Sequence, residues 1–319
     1  MVRVGIDIGG TKTHLAVFDA SGTIHHQQKL ASHTALTQGT TPGAALAEHV
    51  QQFLQAAAIP LAAVEALAVG IPGIADRQTG VIIDCPNLTI LNGTRLGADL
   101  EARLGVPVVL EKDTNLIGLS EHLRGRGVGV DDLACIFVGS GLGSALILGG
   151  ELYRGADGLA GELGHITVEP HGMPCTCGGA GCLEMYCSGK ALTVRAPEIL
   201  NVTREALLSA DNPWEIAQEV IVAARAGHPL ALTVLQDSFF YLGIGIVTLI
   251  SALNLRLVVL GGGIVNGFPE GVDIVRSVVR ERGRIGVRDK LEIDFAQLTD
   301  QPHIVGANFL IDHYLATHG

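Results

Sequence analysis

Aromatic residues are scarce in this chain: 8 Phe, 4 Tyr and one Trp make up 4% of it. Charge is thin as well, at 17%, and cations are in deficit, with 21 Lys and Arg against 32 Asp and Glu for a net charge of −11. So acidic a chain has no general attraction to nucleic acid phosphates or anionic lipid, and neither a nucleic acid nor a membrane partner is expected. The opening MVRVGIDIGG lacks an apolar signal region followed by a small-residue cleavage site. A cytoplasmic setting is therefore expected, where the 6 cysteines read as thiols or metal ligands rather than disulfides. Long linkers, repeat arrays and low-complexity tracts are also missing.

Two uncharged stretches could pass for membrane spans. Ser238–Leu255 reaches the minimum length but carries Ser238, Tyr241, Thr248, Ser251 and Asn254, which favours a buried core helix. Leu133–Gly150 is broken by glycines into strands and turns. No turn fits GxxxxGK[ST], and none shows GxGxxG opening a helix with an acid about 20 residues on, which excludes P-loop and dinucleotide-binding folds.

Glycine, by contrast, is abundant, with 42 in 319 residues, and 48% of the chain is apolar with mean hydropathy +0.39. Without a three-residue period, so much glycine signals tight turns and backbone brought close to ligands. Composition and length point to a soluble α/β enzyme of two domains or one large one.

The first thirty residues predict three strands, Val2–Ile8, His14–Phe18 and Thr23–Leu30, joined by tight turns. A helix is expected over Thr41–Ala58, strands over Val64–Ile71, Val81–Asp84 and Val106–Leu110, and helices over Thr94–Leu104 and Thr114–Leu123. The opening pattern then returns: IDIGGTKTHLAVFDASG has its counterpart in IFVGSGLGSALILGG, with strands Leu133–Val138 and Ser144–Leu148 and the start of a third at Glu151–Tyr153. We read this as a structural duplication of two α/β halves, each opening on a hairpin whose glycine turn faces the other half across a cleft. A glycine- and cysteine-dense insert, Gly161–Gly189, interrupts the second half. Helices at Arg204–Ser209, Trp214–Ala226 and Leu230–Leu253 follow. A strand at Leu257–Leu260, a helix at Val272–Arg282, a strand at Leu291–Phe295 and a closing helix at Ile304–Ala316 complete the chain.

Three glycine turns follow apolar strands: Gly9-Gly10-Thr11, Gly139-Ser140-Gly141-Leu142-Gly143 and Gly261-Gly262-Gly263. Backbone amides in such turns reach phosphate oxygens because no side chain intervenes. Lys12 adds a point charge there, and Thr11 and Thr13 add hydroxyl donors. Asp7 ends the first strand beside its turn, a place that suits a carboxylate if Mg²⁺ sits between it and phosphate. Asp113 lies where a strand gives way to a helix; on spacing alone a helix cap is the simpler reading and a general base the sharper one.

The strongest local signal is GELGHITVEPHGMPCTCGGAGCLE, which sets His165, Cys175, Cys177 and Cys182 as H-x9-C-x-C-x4-C. It reads as a structural Cys₃His zinc site, with His171 and Cys187 as rival ligands. Such a site supplies roughly 10–16 kcal/mol of apparent binding free energy to an insert with little core of its own. Glu162, His165 and Glu184 flank the loop, and acceptors held on a rigid loop suit a polyol. Asn87, after Pro86, adds an amide, although Pro-Asn is first a turn signal.

These segments together resemble the ROK family, which comprises repressors, open reading frames and sugar kinases. The resemblance covers essentially the whole chain and rests on DIGGTKT, GIPG at 70–73, PNL at 86–88, KDTN at 112–115, GSGLGSALILGG, GELGH with CTCGGAGCLE, and LGGGI at 260–264. It implies an actin/hexokinase-like α/β fold of two ribonuclease-H-like domains around a cleft, with a zinc-binding insert. A small N-terminal domain of residues 1–115 plus 304–319 and a large domain of residues 116–303 with the zinc loop at 161–189 are expected.

The resemblance also implies roles. Asp7, Gly9, Gly10, Thr11 and Lys12 form the first phosphate loop; Gly139, Ser140, Gly141 and Gly143 form the second; Gly261, Gly262 and Gly263 line the adenosine. Asp113 becomes the catalytic base, which reverses the preference for a mere cap. Asn87, Glu162, His165 and Glu184 bind sugar hydroxyls, while His165, Cys175, Cys177 and Cys182 hold structural Zn²⁺. ATP and Mg²⁺ are the implied cofactors, a hexose the substrate, a homodimer the expected assembly.

One position departs from the family. Many members carry Asn before the catalytic Asp, and here Lys112 stands there. An ammonium donates but cannot accept, so a different hydroxyl pattern follows. D-Allose, glucose inverted at C3, is favoured, since family members acting on it also carry a basic residue at this position. Glucose, fructose and N-acetylhexosamines are the alternatives within enzymes. Outside them stand a transcriptional repressor, whose winged helix is not expected because Asp7 of the first phosphate loop already stands at position 7, and a non-catalytic sugar-sensing regulator, against which an intact Asp113 argues.

Overall fold

A computed structural model describes residues 1–76, 78–201, 213–298 and 301–318, so the helix expected at Arg204–Ser209 lies outside the described residues. The chain forms two compact units. One comprises Met1–Gly125, Leu152–Ala160 and Leu298–Gly319; the other comprises Arg126–Glu151 and Gly161–Gln297.

These boundaries differ from the expected breaks at 115/116 and 303/304. Asp113–Arg124 is one uninterrupted helix, and a break at residue 116 would cut its first turn. Its Leu116 is buried against Ile304, Ala307, Leu310 and Ile311 of the closing helix Pro302–His318. Gly306 permits that approach, because a Cβ there would collide with the carbonyl oxygen of Leu116. Both helices therefore belong to one packing layer.

The first unit is built on β1 (Val2–Ile8), β2 (Lys12–Phe18), β3 (Ile24–Ala31), β4 (Val64–Ile71), a small hairpin of β5 (Ile74–Ala75) and β6 (Ile82–Asp84), and β7 (Val108–Lys112). The main sheet runs in the order β3-β2-β1-β4-β7. The first three strands are antiparallel, as hairpins dictate, and β1, β4 and β7 are parallel. Alternate residues of β1 face opposite layers. Val4, Ile6 and Ile8 join the cluster containing Leu46, Val50 and Phe53 of helix Pro42–Ala56. The other face presents Arg3, Gly5 and Asp7 to the closing helix. Arg3 Nη1 donates to Asn308 Oδ1 at 2.7 Å and pairs with Asp312 Oδ1 at 2.7 Å, and a Cβ on Gly5 would sit 3.2 Å from Ile304 Cδ1.

The second unit repeats this plan with β8 (Leu133–Val138), β9 (Leu142–Leu148), β10 (Glu151–Leu152), β11 (Leu257–Gly261) and β12 (Glu292–Phe295), ordered β10-β9-β8-β11-β12. Again β8 and β9 are antiparallel, and β8, β11 and β12 are parallel. The alternation of buried and exposed residues over 131–140 matches that over 1–10 position for position. The duplication read from the hairpins is thus a duplication of topology. Helix Pro229–Leu253 is long and apolar enough by composition to cross a membrane, yet half of its most apolar window is buried, with Phe239, Leu242, Ile246 and Ile250 in the core of this unit.

Candidate active site

In the first unit, parallel pairing brings the C-terminal ends of three strands level. Asp7 pairs with Gly70, Gly70 with Glu111, and Ile71 with Lys112. Asp113 then opens its helix directly from the end of β7. A helix following a parallel strand starts at this edge of the sheet, where ligands bind in open α/β folds.

The turn between β1 and β2 is closed by a bond from Gly9 N to the Lys12 carbonyl at 2.9 Å. Buried Ser32 staples it: Ser32 Oγ donates to the Gly9 carbonyl at 2.6 Å and lies 3.0 Å from Thr13 Oγ1, while Ser32 N donates to the Thr11 carbonyl at 3.0 Å. Gly10, Thr11 and Lys12 remain exposed. Asn87 is brought to this turn, its Cβ only 3.3 Å from where a Cβ on Gly10 would lie.

Asp7 and Asp113 are both withdrawn from water. Burial pushes Asp7 up to about 7. Burial likewise raises Asp113 to about 6, opposed by the charge of His303 and reinforced by that of Asp7. Asp113 Oδ1 accepts from Thr114 N at 2.6 Å, and Oδ2 accepts no bond from a described residue. Asp113 is thus the first residue of its helix and not the cap, a position held by Lys112; one carboxylate oxygen takes the adjacent amide and the other is kept for different chemistry. His303, whose Nδ1 lies 3.4 Å from Asp7 Oδ2, has no sequence motif to announce it. It reaches the site because Asp7 shares a strand face with Arg3 and Gly5, the face that the closing helix covers. Burial lowers the His303 value, and Asp113 opposes that shift.

Lys112 ends β7 half-buried. Its backbone N donates to Glu111 Oε1 at 3.0 Å, the same oxygen accepts from Asn115 Nδ2 at 2.8 Å, and Glu111 Oε2 pairs with Arg154 Nε at 2.7 Å. This network grips the junction from which Asp113 projects. Lys112, Glu111 and Arg154 also line a cavity of about 310 Å³ along β7.

In the second unit, the turn between β8 and β9 is closed by Gly139 N donating to the Gly141 carbonyl at 2.9 Å, with Ser140 exposed and Gly143 on β9. Gly261 ends β11, and Gly262 needs glycine twice over: its φ is +94°, and a Cβ would strike the Val138 backbone. Gly263 is covered by the ring of Trp214. Glu184 is buried, with its carboxylate turned to the second glycine turn.

The cysteine-dense insert gathers His165, Cys175, Cys177 and Cys182 with all four donor atoms within 4.8 Å of one another. Exposed His171 and core-buried Cys187 fall outside this group, which removes both rivals as ligands. Cys175 Sγ lies 3.7 Å from His165 Nδ1, and Cys177 Sγ lies 3.6 Å from Cys182 Sγ. A tetrahedral zinc with sulfur at about 2.3 Å sets its donors about 3.7 Å apart, so the set fits the ion. Crowding shows in the thiols: burial and the neighbouring sulfurs push Cys182 up to about 12, whereas the Gly179 amide holds Cys177 below the usual thiol range. With Nδ1 turned to the sulfurs, His165 presents Nε2 toward Glu162 Oε2 at 3.9 Å.

The ROK family model matches residues 3–313. A glucokinase of Streptomyces coelicolor is 34% identical over 317 residues, covering 96% of each chain. Among solved structures, a ROK hexokinase from Thermus thermophilus superposes with a TM-score of 0.81 at 30% identity over the full length of both chains. A ROK family glucokinase from Streptomyces griseus, in complex with glucose and AMPPNP, gives 0.76 at 32% identity, covering 98% of this chain and 100% of that one. The chain belongs to the ROK family.

Proposed function

We propose that this ATP-dependent sugar kinase transfers the γ-phosphoryl group of ATP, in line, to the primary hydroxyl of a hexose, with Asp113 as general base. The observation that carries the reading is the Asp113 carboxylate itself. It is desolvated to about 6, fixed through Oδ1, and open at Oδ2 on the strand edge that also carries Asp7. A base poised just below neutral pH is charged when needed and still able to take a proton. The sugar hydroxyl gives its proton to Oδ2 as its oxygen bonds to the γ-phosphorus and the bond to the ADP oxygen breaks.

Asp7 is largely withdrawn from water beside His303 Nδ1, 3.4 Å from its Oδ2, and a divalent cation would stabilise its charged form. Mg²⁺ bound near it would neutralise phosphate charge. The amides of Gly9–Lys12 and of Gly139–Gly143 would hold phosphate oxygens, and Gly261–Gly263 would line the adenosine. Asn87, Lys112, Glu162, His165 Nε2 and Glu184 would orient hydroxyls, Glu184 from a carboxylate held by Leu142 N and Lys190 Nζ. Zinc on His165, Cys175, Cys177 and Cys182 would be structural, since four protein donors leave no open position.

Lys112 favours D-allose, because a donor-only side chain replaces an amide beside the base. Glucose is the second reading, favoured by relatives named as glucokinases. The two are separated by measuring ADP release with MgATP against allose, glucose, mannose, fructose and N-acetylated hexosamines. A higher kcat/KM for allose supports the Lys112 argument, and a preference for glucose discards it while keeping the kinase. Sugar binding without turnover on any of them would favour a sensor instead.

A further inference from the structure

Lys190 belongs to none of the motifs that define the site, yet it sits against the second glycine turn. Helix Gly189–Leu200 starts there, with Gly189 N donating to the Gly139 carbonyl at 2.8 Å and Lys190 N donating to the Ser140 carbonyl at 3.0 Å. The Lys190 side chain reaches Glu184, Nζ to Oε1, at 2.7 Å. The other oxygen, Glu184 Oε2, accepts from Leu142 N at 2.8 Å, and a Cβ on Gly141 would come within 2.5 Å of it. The Glu184 side chain is 8% exposed and that of Lys190 is 41%.

A carboxylate this buried is costly unless its charge is matched and its lone pairs are filled. Lys190 supplies the charge and one bond; the turn's own amide supplies the other. Glu184 is thus a clasp: one oxygen fixes the amide of Leu142, and the opposite oxygen is fixed by an ammonium carried on the helix that the same turn anchors. Breaking the ion pair leaves Glu184 buried without its partner, so the carboxylate swings toward water and the turn loses its acceptor.

We propose that Lys190 is a positioning residue for nucleotide binding, acting through Glu184 to set the Gly139–Gly143 turn. The proposal rests on the reading of that turn as a phosphate loop. A direct contact between Lys190 and phosphate would have a different signature, because it would not depend on Glu184.

The test is calorimetric titration of the full chain with MgADP, comparing wild type, Lys190→Met, Lys190→Arg, Glu184→Gln and the Lys190→Met/Glu184→Gln double variant. Steady-state KM for MgATP and kcat are measured alongside. Hydrogen bonds to charged groups are strong enough for Lys190→Met to weaken MgADP about 10-fold or more. KM for MgATP should rise with it while kcat stays within about 3-fold, a split that general unfolding would not give. Lys190→Arg keeps the charge and restores most of the affinity. Glu184→Gln keeps an acceptor for Leu142 N without a buried charge, so adding Lys190→Met to it should cost less than about 3-fold, the non-additivity expected of a pair acting as one unit. Lys190→Met binding like wild type overturns the proposal, as do losses that add in the double variant. A wild-type chain that binds no MgADP overturns the phosphate-loop reading itself, an outcome distinct from an unaffected variant.

Discussion

At the residue scale, the proposed chemistry rests on two carboxylates and an imidazole. Burial raises both Asp7 and Asp113, and the His303 charge works against that for Asp113. Because interacting groups titrate together, the pH profile belongs to the cluster. The base must be ionised, so kcat/KM should climb as pH rises through about 6 and level off above neutrality. Replacing His303 by Ala removes the influence that lowers Asp113 and should move that acidic limb to higher pH; an unmoved limb would show that His303 has no hold on the base. Stability should run the opposite way. Acids whose folded values lie above their unfolded ones favour the fold while protonated, and that contribution is lost as pH rises from about 4 toward 7. His303, held low by burial, acts in the opposite sense, so the signature is a difference: Tm should fall more steeply with rising pH in wild type than in Asp113→Asn.

At the scale of elements, the cysteine knuckle and the glycine turns are devices of short chain segments. Gly178 and Gly181 adopt φ of +91° and +71°, which lets the insert fold back on itself so that Cys175 N reaches the Gly179 carbonyl and Gly181 N the Met173 carbonyl. Cys177→Ala should lower zinc content and Tm together, and a variant that melts like wild type would refute a structural metal. Strands and hairpins were legible in the sequence because apolar runs ended at glycine-bearing turns, and Val2–Ile8, Val64–Ile71 and Leu133–Val138 form as expected. The helix Gly189–Leu200 was not legible: glycine at its start and Pro197 inside it both argue against a helix. Burial of Leu192, Ala196 and Ile199 in the unit's core outweighs that local preference. Ser32 and His303 were equally silent, because each reaches its partner through packing between elements distant in sequence.

The whole molecule is a single topology used twice, and this was the most legible of its large-scale properties. Two hairpins with matching glycine turns were enough to suggest it, and the sheet orders repeat strand for strand. The limits of the units were less legible, since they depend on which core the helix Asp113–Arg124 and the segment Leu152–Ala160 join. The four clustered donors His165, Cys175, Cys177 and Cys182 were readable from spacing, whereas the proposed preference among hexoses depends on where the Lys112 ammonium would lie relative to individual hydroxyls, which spacing does not encode. The central claim is that Asp113 is the base of a hexose kinase. The most direct test is turnover of Asp113→Asn beside wild type, with MgATP and the best sugar of the panel, accompanied by binding of each ligand. The account predicts near-normal binding of both ligands and a loss of about 10²-fold or more in kcat, in keeping with a positioned general base. Turnover unchanged by the substitution would contradict it.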